Sequence, residues 1–196
     1  MMSWGVACST TLTPPNESRS VEQLDLLQMT YYGLTDSLKQ AWNVLRQDNV
    51  QKNAYLQQLL REMYRTGWYA TDTLGALSRQ VEQLSSFDYE AVAADEQYRI
   101  HRHDSVTVHT SEAVVQYAES YDGYHSDAAL AFLTDKILAA NRSMVLYRLH
   151  YDRYSRAFNA FLDANRNFIA TLDSSTLTQR QFLFQLTNDR SQRDSL

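Results

Sequence analysis

Three histidines, His101, His103 and His109, fall within one short stretch, with Asp104 among them. On an extended strand, His101 and His103 would place two imidazoles on one face. A metal ion would then need a third ligand, such as His109 or Glu96. The spacing matches no established zinc pattern, and the competing reading is a polar, exposed connection. Glu62, Glu82, Glu90, Glu96, Glu112 and Glu119 are scattered, and none forms the Glu-x-x-His pair of a di-iron bundle. The sequence contains no Gly-rich phosphate loop and no nucleophile elbow. Cys8, the one cysteine, rules out an intrachain disulfide framework and has no nearby histidine to activate it. The chain reads as a non-enzymatic protein with no metal and no cofactor.

Tyrosine is in excess, with 13 residues, and Tyr147, Tyr151 and Tyr154 are interleaved with Arg142, Arg148, Arg153 and Arg156. On a nucleic-acid binder that alternation would supply base stacking and phosphate contacts. The net charge of -5 and a sequence pI near 5.5 argue against specific nucleic-acid binding. Tyrosines and arginines at helical spacing suit a protein–protein seam better, because both are amphipathic and rich in hydrogen-bonding groups.

These residues need long helices to position them. The 196-residue chain holds 5 Gly and 2 Pro, and proline is absent after Pro15, which starves a sandwich or barrel of turns. Residues 1–19 read as an arm. Within it, Val6-Ala7-Cys8 superficially resembles a lipobox, without the basic start and apolar stretch that a secretion signal needs. Ser20 to Gln23 has the spacing of a capping box. Gly33 is expected to kink or interrupt the helix that follows.

From Thr35 to Leu84 runs a first long segment, with Leu38, Trp42, Leu45, Asn49, Leu56, Leu59, Met63, Leu74, Leu77 and Val81 mostly three or four apart. Helical throughout, it would span about 75 Å. Asp88–Ile100 reads as a short helix, His101–Thr110 as a loop or short extended piece, and Ser111–Ser120 as helix. Gly123 marks the clearest turn, with Ser126 as the N-cap of a second long segment reaching about Leu172. Thr178 and Gln181 suggest another capping box, opening a short helix from Gln179 to Leu186.

The expectation is an all-α protein: a long antiparallel helical hairpin or bundle over residues 20–187, with a short N-terminal arm, a short C-terminal helix and a polar tail at 188–196. Two narrow seams of coiled-coil type suggest rods completed by other copies. Trp42, Leu45, Asn49, Leu56, Met63, Tyr147, Tyr151, Tyr154 and Phe158 are the expected subunit-interface residues.

Three regions then carry a resemblance. Gln40 through Gln51 resembles the long-helix opening of the smallest internal virion protein of T7-like podophages. Ala118 through Leu130 is similar to that family's small-residue turn before a capped helix, and Asn141 through Phe161 to its Tyr- and Arg-bearing helix. Met2-Ser3-Trp4 is similar to its Met-x-Trp start. The resemblance implies a protein inside the capsid, in a ring-like homo-oligomer with other internal core proteins near the portal. On infection it would be ejected into the host cell envelope and help form a conduit through the host outer membrane. The chain departs from the family in its scarce glycine and in an apolar N-terminal stretch of only Trp4 to Cys8. A bacterial envelope helical-bundle lipoprotein of LemA type is the alternative expectation.

Overall fold

The computed structural model describes residues 20–89, 97–172 and 179–184. The expected arm with Cys8, Thr178 and the tail at 188–196 lie outside them. The described residues form α1 (Val21–Thr66), α2 (Thr71–Ser85), α3 (Gln97–Glu119), a 3-10 turn (Tyr124–Ser126), α4 (Ala128–Ala164) and α5 (Arg166–Leu172), with no strand among them. The all-α hairpin is as expected. α1 and α4 run antiparallel: Tyr31 near the start of α1 meets Phe158 near the end of α4 at 6.0 Å between ring centroids, and Trp42 meets Tyr151 at 5.4 Å.

The start of α1 follows the sequence. Ser20 Oγ accepts from the Gln23 amide, and Gln23 Oε1 accepts from the Ser20 amide. Gly33 does not interrupt the helix, because Tyr31 and Leu38 on either side of it are buried against α4 and α5. The first long segment, however, breaks at Gly67 instead of running to Leu84. Gly67 is left-handed (φ 69°), and its amide bonds to the Tyr64 carbonyl. α2 then folds back, and Leu74, Leu77 and Val81 bury against Leu56, Leu59, Leu60 and Met63. A straight continuation would carry those leucines past the start of α4, where no partner waits. Gly67→Ala is therefore expected to cost about 1–2 kcal/mol from the left-handed backbone alone. Gly33→Ala, whose Cβ meets nothing, is expected to be stabilising by up to about 1 kcal/mol, and urea unfolding of both variants checks the two signs.

Four more expectations are corrected. Residues 101–110 are not a loop: α3 is continuous from Gln97 to Glu119. Its inward stripe is Ile100, His103, Thr107, Thr110, Ser111 and Val114, all buried, so the helical period is carried by polar side chains that an apolar search misses. Ser126 is not the N-cap of α4. Asp127 is, with Oδ1 accepting from the Ala129 and Leu130 amides at 2.9 and 3.1 Å. Gly123 does sit in the turn, where any side chain would run into the Tyr121 ring.

The third correction is at the C-terminal side. Residues 179–184 are not helical. Gln181 exchanges two hydrogen bonds with the Asn159 side chain (2.7 and 2.8 Å), and the Phe184 amide donates to Asp152 Oδ1 (2.7 Å). Phe182 and Phe184, two apart, both reach Trp42 and Tyr151. Residues two apart share a face in extended chain and not in a helix, so this packing requires a strap. α4 also stops short of Leu172, at Asn165, whose amide bonds back to Phe161 and Leu162 before α5 begins.

Candidate functional site

The bundle has two apolar cores. One gathers Leu56, Leu59, Met63, Val81, Val114, Leu130 and Ile137. The other gathers Tyr31, Leu38, Leu45, Met144, Tyr151, Phe158 and Leu162. The waist between them is polar. α1 contributes Asp48, Asn49, Lys52 and Asn53, which spacing puts on one face. α3 contributes His103, Asp104, Thr107 and Ser111, and α4 contributes Asn141 and Arg148. Lys52, 1% exposed, is among the largest fully buried side chains of the protein.

Arg148 Nη2 pairs with Asp104 Oδ1, and its guanidinium lies over the Phe184 ring at 5.8 Å. Burial pushes the Asp104 carboxyl above its ordinary range despite Arg148 and Lys52 nearby, and burial raises Asp48 likewise. Lys52 moves the other way, down to about 8, because burial and the Arg148 charge outweigh Asp104 and Asp48. Desolvation is thus the largest influence on Asp48, Lys52 and Asp104. By linkage, an unfolded chain holds the Lys52 proton up to its ordinary 10.5 while the folded one releases it near 8, so stability from this residue rises with pH across that window.

A hydrogen-bond relay crosses the waist beside these charges. Asn49 Nδ2 donates to Tyr89 Oη at 2.7 Å. Tyr89 Oη lies 3.0 Å from His103 Nδ1, and His103 Nε2 lies 3.2 Å from the Leu84 carbonyl oxygen. A carbonyl can only accept, so Nε2 carries a hydrogen, and in the neutral form that burial favours Nδ1 accepts from Tyr89. Phe87 stacks on the same imidazole at 4.1 Å. Burial holds His103 below its ordinary pKa. Its proton would go first to the unfolded chain, so this residue's contribution to stability is lost as pH falls below about 6.5. Asp48 and Asp104 oppose that trend, since their raised pKa values favour the folded state on acidification. The comparison that isolates the histidine is with His103→Gln. The stability advantage of the parent chain over that variant is expected to shrink from pH 7 toward pH 5 in parallel denaturant titrations.

The histidines do not converge. His103 is committed to the relay, His101 contacts the Phe184 ring edge-on at 6.4 Å, and His109 is exposed with Glu112 3.8 Å away. On a helix these three point in different directions. Among the described residues no group of three His, Cys, Asp or Glu could hold a metal ion. Lys52 is the most perturbed amine, but it lines neither of the grooves flanking the waist, of about 770 and 370 Å³. The arrangement orders four helices in one register.

The expected subunit-interface residues lie at the contacts between this chain's own helices. Leu45, Leu56, Met63, Tyr151 and Phe158 are buried in this chain's own cores, Asn49 is buried at the waist, and Trp42, Tyr147 and Tyr154 pack half-buried against the second core. The seam is filled from within because α4 supplies the facing rod. Surfaces left over for a partner are elsewhere, and sequence reading did not find them. They are the outward apolar residues of α4 (Val145, Leu146, Leu149) and of the α1 start (Val21, Leu26, Met29, Tyr32). Neither a protein-family model, nor a curated protein, nor a solved structure matches this chain.

Proposed function

We propose that this chain is an internal core protein of a T7-like podophage, held in the particle near the portal and ejected on infection to help form the conduit for the genome. The resemblance over residues 40–51, 118–130 and 141–161 names the family. The observation that carries a structural, self-assembling role is the outer face of α4. Val145, Leu146 and Leu149 are 54%, 66% and 43% exposed there. Arg142, His150 and Arg153 flank them, and no carboxylate is exposed on α4 between Lys136 and Ala160.

The start of α1 has the opposite character. Val21, Leu26, Met29 and Tyr32 are exposed among Glu22, Asp25 and Asp36. An apolar, cationic face on one copy complements an apolar, acidic face on the next. Because the two faces differ, the contact is head-to-tail, and head-to-tail contacts generate rings when the rotation closes. Companion core proteins are the other class of partner for the same faces. No helix among the described residues is long and apolar enough to cross a membrane, and the outer-membrane step rests on the resemblance alone.

Mass spectrometry of purified, nuclease-treated particles of the phage that encodes the chain tests this reading. Several copies per particle are expected. Absence of the chain from mature particles would overturn it.

A further inference from the structure

A groove of about 770 Å³ separates α2 from α3, within the size range of small-molecule sites. Arg99, Arg102, Val106, His109 and Ala113 line it from α3 at steps of three and four, so they form one stripe. Leu84 and Phe87 form the facing apolar wall. No carboxylate lines the groove among the described residues. The cations gather toward the α3 start, where Arg102 is exposed and makes no ion pair with the described residues. Val106, 45% exposed, supplies an apolar position about one turn beyond Arg102 on the same stripe. His103 closes the base with both ring nitrogens already hydrogen-bonded, and so offers no free donor.

We propose that this groove binds a single-chain anionic amphiphile taken as a monomer from solution, its carboxylate on Arg102 and its aliphatic chain along Leu84, Phe87 and Val106. A guanidinium gives a carboxylate two parallel hydrogen bonds, and the apolar wall removes the chain from water. A neutral or cationic amphiphile of equal length would gain the second term and miss the first. This site is separate from the α4 and α1 faces, and its existence does not depend on the virion assignment.

Calorimetric titration of the full chain with decanoate, below its micelle concentration, tests the proposal. Decyltrimethylammonium is the matched cation, and phosphatidylglycerol vesicles are the membrane arm. Saturable binding of one decanoate per chain is expected, with decyltrimethylammonium weaker by about tenfold or more. Arg102→Gln is expected to lose about tenfold in decanoate affinity, and Val106→Asp to lose detectable binding. Both positions are exposed, and unchanged circular dichroism certifies the fold of each variant. Equal affinity for the two amphiphiles, indifference to both substitutions, or binding to the vesicles with none to monomeric decanoate would each overturn the proposal.

Discussion

Arg148→Ala is expected to destabilise the fold by about 2–4 kcal/mol, below the figure for a fully buried pair because both partners keep some exposure. The side chains of Arg148 and Asp104 are 19% and 27% exposed. Removing the guanidinium leaves the Asp104 carboxylate at the waist with Lys52 as its remaining cation. It also strips Phe184 of the charge above its ring. In an Asp104→Asn background the same substitution should cost much less, since the stranded charge is gone. Urea unfolding of the two single variants and the double variant measures this coupling. Additive costs within a few tenths of a kcal/mol would mean that the two residues are surface charges that happen to lie close.

Phe158→Ala is expected to cost about 3–5 kcal/mol. The ring is 1% exposed and packs against Tyr31 in the second core. The contrast with Leu149→Ala is the informative part. Leu149 lies two and a half turns earlier on the same helix but faces outward, so its truncation is expected to stay within about 0.5 kcal/mol in the monomer. If Phe158 served a subunit contact, its loss would change association and leave monomer unfolding nearly unaltered.

Much of the architecture is readable from leucine and aromatic spacing alone. Leu38, Leu45, Leu56 and Met63 on one rod, and Ile137, Met144, Tyr151 and Phe158 on the other, announce two helices with matching seams. What such spacing leaves open is where the matching surface comes from. A heptad-like pattern is the same whether the partner is another copy or the other arm of a hairpin, and here the hairpin fills it. The break at Gly67 was hidden for a related reason: the apolar period runs across it from Met63 to Leu74, so the signal lay in the glycine and not in the pattern.

The waist was the least readable part. Its members are Lys52, His103, Asp104 and Arg148, residue types that normally face water. They occupy positions where the seam period calls for an apolar residue: Lys52 between Leu45 and Leu56, and His103 and Thr107 between Ile100 and Val114. A search for polar residues standing in core register would have found them. The C-terminal strap is a different case. Thr178 and Gln181 have the spacing of a helix start, but Asn159 and Asp152, far away in sequence, hold the backbone of residues 181–184 in another conformation. Local signals lose to tertiary hydrogen bonds when the partners are buried.

Under the proposed function the chain assembles through its outward faces, its own interior being complete. Sedimentation velocity of the purified protein beside a Leu146→Glu, Leu149→Glu double variant tests that claim most directly. The parent chain should sediment as an oligomer. The variant should sediment as a monomer with the same helical circular dichroism, because a carboxylate on that face costs the contact and leaves the cores untouched. A parent chain that stays monomeric at high concentration, or a double variant that assembles as the parent does, would contradict it.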